Sequence, residues 1–98
     1  MAKSILQKHK RCIVCRTVLD LHRHHVFEGA NRELSEADGL TVYLCAKHHD
    51  MSDEGIHTDK ALDRRVKALA QRKAMKYYGW SQKEWIQRYG RSWYYGET

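Results

Sequence analysis

All three cysteines of this chain, and all but one of its seven histidines, lie between Cys12 and His57. The stretch opens on Cys12-Ile13-Val14-Cys15 and passes through Leu21-His22-Arg23-His24-His25. It then reaches Leu44-Cys45-Ala46-Lys47-His48-His49 before the outlying His57. Thiol and imidazole are the side chains that hold transition-metal ions. Their concentration in less than half of 98 residues points to metal before anything else. A chain this short makes one domain with a modest core, so a metal staple would contribute materially to its stability.

Three cysteines do not suit a disulfide framework, and thiols acting as ligands belong in a reducing compartment. No apolar run is long enough to span a bilayer, and no signal-peptide stretch opens the sequence. A cytoplasmic protein without a membrane partner is expected. The net charge of +6 is unevenly spread. Residues 1–25 carry +5, residues 26–58 carry −5, and residues 59–98 carry +6. Basic flanks around an acidic, histidine-rich centre suit a polyanion gripped on both sides of a cation site, although a soluble protein with basic surface helices has the same charge pattern.

Residues 1–11 are polar and basic with no period, as in a flexible arm or a short helix, with His9 solvated among lysines. Apolar and β-branched residues from Arg16 to Phe27 predict a first strand, with a turn near Asp20. Glu28–Arg32 breaks it, and Glu33–Gly39 reads as a polar loop or single helical turn with Ser35 as a cap. Leu40–Leu44 predicts a second strand, and a helix starting near Ala46 would carry His48 and His49. After a break around Gly55, a long helix is expected from Asp59 to Tyr78. Its apolar face would hold Leu62, Val66, Leu69, Ala70, Ala74 and Tyr77. The Ser81–Glu84 capping box predicts a second helix over Gln82–Tyr89, closed by Gly90, with Trp85, Ile86 and Tyr89 on its apolar side. Trp80, Trp85, Trp93, Tyr94 and Tyr95 are expected to pack these helices, the last three from an irregular tail.

Cys12-x2-Cys15 and Cys45-x2-His48 are two ligand pairs at a spacing that lets a tight turn present two donors at once. Together they fit a tetrahedral structural zinc. His22, His24, His25, His49 and His57 are then left over. Neighbours on a strand face opposite ways, so His24 and His25 cannot do the same job. One can bind a cation while the other, a base with a pKa near neutrality, activates water. His22 shares a face with His24 and reads as a supporting or solvated group. Surface histidines around a purely structural zinc finger are the bland alternative.

Cys-x2-Cys, then His-His-Val, then Leu-Cys-x2-His-His followed by Gly55-Ile56-His57 resembles the HNH endonuclease superfamily. Within it, the pattern is similar to small phage proteins related to the RecA-dependent recombination-enhancement nucleases. The resemblance covers residues 12–57. It implies an α+β fold: a zinc-stapled treble-clef ββα-metal core over 12–57, followed by two C-terminal helices in the extension 58–98. It also implies a phage-encoded enzyme that hydrolyses DNA phosphodiester bonds in a host cell, with a recombination or packaging protein as a further partner. Cys12, Cys15, Cys45 and His48 would bind structural zinc. His24, His49 and His57 would hold a catalytic magnesium or manganese ion, with zinc or nickel also accepted, and His25 would be the general base. The sequence departs from the family at its middle asparagine, whose place falls on Leu40. Asp38, which resembles an aspartate of the recombination-enhancement subgroup, and Asn31 are the candidate replacements.

Arg32 and the helix residues Arg64, Arg65, Lys67 and Arg72 are the candidates for holding the DNA backbone. A reading from another class keeps the zinc and drops the chemistry, giving a zinc-stapled DNA-binding module or a phage inhibitor of a host protein. The missing asparagine favours that reading. The spare histidines argue against it.

Overall fold

The structure is a computed structural model that describes residues 3–95. It is a small α+β arrangement with one two-stranded sheet and four helices among the described residues. Strand β1 (Leu21–His25) pairs antiparallel with β2 (Thr41–Cys45), with Leu21 opposite Cys45 and His25 opposite Thr41. Between them lie a 3-10 turn (Gly29–Asn31) and α1 (Arg32–Ala37). A single turn, α2 (Ala46–His49), follows β2 directly, and α3 (Lys60–Tyr78) and α4 (Gln82–Tyr89) complete the chain.

The first strand is shorter than the expected Arg16–Phe27. Arg16 and Asp20 adopt positive φ angles of 66° and 51°, which break extended pairing before Leu21. Ser35 is not a cap. It is buried inside α1, donating to Leu40 O at 2.6 Å and accepting from Phe27 N, so it ties α1 to the ends of both strands.

From Lys3 onward the N-terminal segment is neither a free arm nor a helix, residues 1 and 2 lying outside the described residues. It lies along the outer edge of β2, where Ser4 Oγ donates to Thr41 O at 2.6 Å and Ile13 N donates to Tyr43 O at 2.9 Å. Gln7 Oε1 accepts from Tyr43 N at 2.7 Å. These bonds satisfy backbone groups that an edge strand would otherwise leave open. Gly39 makes the approach possible. Its φ is +73°, and a Cβ there would stand 2.5 Å from Lys3 O.

The boundaries of α3 and α4 follow their capping chemistry. Asp59 accepts from Leu62 N at 3.1 Å to start α3, and the reciprocal Ser81–Glu84 box starts α4. Leu62, Val66, Ala70, Ala74 and Met75 of α3 face the core with Phe27, Leu40, Leu44 and Trp85. Phe27 packs its ring against Trp85, Tyr89 and Trp93. Tyr77, Ile86 and Tyr95, expected among the packing residues, are instead exposed, Tyr77 by 67% and Tyr95 by 82%. Gln71 takes a buried place on the α3 face. Its amide is satisfied by the tail: Oε1 accepts from Trp93 N at 2.6 Å, and Nε2 donates to Ser92 Oγ at 2.8 Å. No helix of the described residues is long and apolar enough to cross a membrane.

Candidate functional site

The end of β2 and the single turn of α2 set two clusters side by side. Cys45 closes the strand, and the turn after it aims His48 and His49 in different directions. His48 joins Cys12, Cys15 and Cys45. Sγ of Cys15 and Cys45 are 3.7 Å apart, and His48 Nδ1 lies 3.2 Å from Cys45 Sγ and 3.8 Å from Cys12 Sγ. Sulfur and nitrogen donors around a tetrahedral zinc stand about 3.5–3.8 Å apart; the 3.7 and 3.8 Å separations match and the 3.2 Å one is shorter, so a small opening of the set would hold that ion. Burial pushes the Cys12 thiol up, but backbone groups of Cys15, Cys45 and Val14 outweigh it and bring the thiol down to about 6. A thiolate ready at neutral pH is what a zinc ligand requires. Burial holds the Cys45 thiol above its ordinary range.

His49 joins the second cluster, with His24 and His57. His24 comes from β1, where strand alternation turns it inward while Arg23 and His25 face the other side. His57 returns to the site because the loop after α2 folds back on it. Ile56 N donates to His48 O at 2.8 Å, and Ile56 itself is buried. Gly55 allows that approach, since a Cβ there would stand 2.8 Å from His49 O. Nε2 of His49 and Nε2 of His57 are 3.1 Å apart, against about 3.0–3.4 Å for neighbouring nitrogen ligands on one divalent ion.

The observation that most favours a cation here is His24 Nε2, a buried nitrogen with no hydrogen-bond partner among the described residues. Such a group is costly unless something outside the protein satisfies it. Burial first, then the neighbouring His49 and His57, push the His24 pKa down to about 3, and burial lowers that of His49. Neutral imidazoles with exposed lone pairs are competent ligands. Glu28 Oε1 lies 3.7 Å from His24 Nε2 and 3.9 Å from His57 Nδ1, on the side of the His57 ring away from His49. Three imidazoles suit a transition-metal ion better than magnesium.

His22 is half-buried and has a partner in His49. Its Nδ1 lies 2.9 Å from Nδ1 of His49, so one of the two nitrogens donates. Donation by His49 leaves the lone pair on its Nε2, facing His24 and His57. That is how a second imidazole orients a ligand.

His25 opens onto the same cleft. A cavity of about 340 Å3 is lined by Arg23, His24, His25, Arg32, His49 and His57, among others. Neither Asp38 nor Asn31 holds the His25 ring. Asp38 is buried and accepts from Arg88 Nε and Tyr89 Oη, each at 2.7 Å, while Asn31 Nδ2 donates to Tyr89 O at 3.0 Å. Both tie the α1 region to α4. The carboxylate at His25 is Glu36, whose Oε1 lies 2.8 Å from His25 Nε2. Arg23 grips the same carboxylate with two nitrogens, at 2.7 and 2.9 Å. The Arg23 hydrogen bonds, followed by that of His25, hold the Glu36 carboxyl down at about 2. An ionised carboxylate only accepts, so His25 Nε2 must donate, and the lone pair of the neutral ring sits on Nδ1.

Of the basic candidates, Arg32 lines the central cleft, while Arg64 and Lys67 line an adjoining cavity with Lys60 and Arg91. Arg65 and Arg72 are exposed on another face of α3, turned about 80–100° from Arg64. Comparison of the chain with protein-family models, with curated proteins and with solved structures gives no match.

Proposed function

We propose that this protein is a metal-dependent DNA endonuclease of the HNH type, with a treble-clef ββα-metal core over residues 12–57 stapled by zinc. The observation that carries this reading is the buried, unpartnered His24 Nε2 facing His49 and His57 beside a His25 oriented by Glu36.

In this reading His25 Nδ1 takes a proton from the water that attacks the scissile phosphorus in line. Glu36 fixes the tautomer that leaves Nδ1 free, filling the role of the family's asparagine. His24, His49 and His57 would hold a divalent ion, whose positive charge would offset the negative charge on the phosphate and the departing 3′ oxygen. Arg32 and Arg64 hold the backbone without choosing a sequence. Expulsion of the 3′ oxygen leaves 3′-hydroxyl and 5′-phosphate ends, which DNA ligase can rejoin. Recovery of 3′-phosphate ends would rule the mechanism out.

A second reading, a zinc-stapled DNA-binding module, is favoured by one observation: Asp38 and Asn31 are both committed to α4. Salt-sensitive DNA binding without ion-dependent cleavage would select it.

A further inference from the structure

Three cavities adjoin one another across the molecule. The central one, with the histidines, shares Glu28 and His57 with a cavity of about 370 Å3 on the α3 side, where Lys60, Arg64, Lys67 and Arg91 stand. On its other side it shares Arg23 with a cavity of about 590 Å3 along the outer edge of β2, lined by Lys3, Lys8, Lys10 and Tyr43. The two end cavities share no lining residue, so the histidine cleft lies between them.

We propose that a single DNA backbone path runs through all three, with the N-terminal segment as a second grip opposite α3. This rests on the phosphodiesterase reading and adds a substrate track to it. Charge and rigidity carry the inference. The β2-side cavity has no carboxylate in its lining, and Lys3, Lys8 and Lys10 have no acidic partner among the described residues. At the other end four cations stand against Glu28 and Asp63, and Asp63 is neutralised by Lys67 at 2.9 Å. The segment bearing these lysines is fastened to β2 through Ser4, Gln7 and Ile13 and to Gly39 through Ile5, so its backbone is held in place before DNA arrives.

Binding of a fluorescein-labelled 20-base-pair duplex, followed by anisotropy across a salt series, tests the track. Zinc-loaded His25→Ala protein is the parent, so that the DNA is held and not cut. Lys8→Ala with Lys10→Ala, and separately Lys60→Ala with Arg64→Ala, should each weaken binding about tenfold. Each pair should also reduce the slope of log K against log salt by about two. Lys76→Ala with Lys83→Ala, two exposed lysines outside both end cavities, is the control. If the Lys8/Lys10 pair changes affinity and slope no more than this control, the second grip is overturned, whether or not wild-type protein cuts DNA. If both flanking pairs act as expected while wild-type protein never cuts, the track stands and the hydrolytic reading fails.

Discussion

Glu36 reaches across from α1 to place its Oε1 2.8 Å from His25 Nε2, while Arg23 holds both of its oxygens. The carboxylate dictates which nitrogen of His25 carries the proton. Glu36→Gln puts an amide there that can donate as well as accept, so the wrong tautomer becomes available. Cleavage should fall by about 10²–10⁴-fold, the range of a general-base contribution. DNA affinity and zinc content should stay as in wild type. A Glu36→Gln protein that cuts at the wild-type rate would remove Glu36 from the mechanism.

His22 should act on the metal rather than on the fold. Its hydrogen bond to His49 orients the ligand, so His22→Ala should weaken cobalt or nickel binding at the histidine cluster by about 10–100-fold. His22→Asn retains an acceptor and should recover part of the loss. Isothermal titration against the zinc-loaded protein reads this directly. Equal affinities in wild type and His22→Ala would show that the contact is incidental.

Asp38 belongs to stability. Its carboxylate accepts from Arg88 and Tyr89, and Tyr78 Oη donates to its carbonyl oxygen. Asp38→Ala leaves the buried Tyr89 hydroxyl without this partner and should cost about 2–3 kcal/mol in urea unfolding. The rate of cleavage by the folded fraction should be unchanged. A specific loss of rate without loss of stability would return Asp38 to the chemistry.

The pH dependence follows from His24. In the folded chain without a second cation its pKa lies at about 3, against an ordinary value of 6.5. Between these values the unfolded chain binds a proton that the folded chain does not, so stability falls as pH falls. From pH 7 to 5.5 this contributes a loss of about 1 kcal/mol that His24→Gln should lack. Urea unfolding of both zinc-loaded proteins at the two pH values measures the difference. Parallel losses would mean that folded His24 takes up its proton normally.

What the sequence made legible was local. The two x2 ligand pairs, the opposed facing of His24 and His25, and the Ser81 cap each depend on a few neighbouring residues. What escaped depends on segments meeting across the fold. Glu36 sits in a stretch that reads as a polar loop or a single helical turn, and only the packing of α1 beside β1 brings it to His25. Glu28 reads as a chain break until His57 returns beside it. Gln71 interrupts an apolar face and is buried because the tail supplies its hydrogen bonds. The N-terminal segment has no period because its order comes from the edge of β2.

Nicking of supercoiled plasmid by zinc-loaded wild-type protein beside His25→Ala, with manganese, with magnesium and with no added ion, tests the central claim most directly. Cleavage should require the added ion, favour manganese, and fall by at least about 10²-fold in His25→Ala at unchanged zinc content. Equal nicking by the two proteins, or none by either while DNA is still bound, would contradict the nuclease assignment.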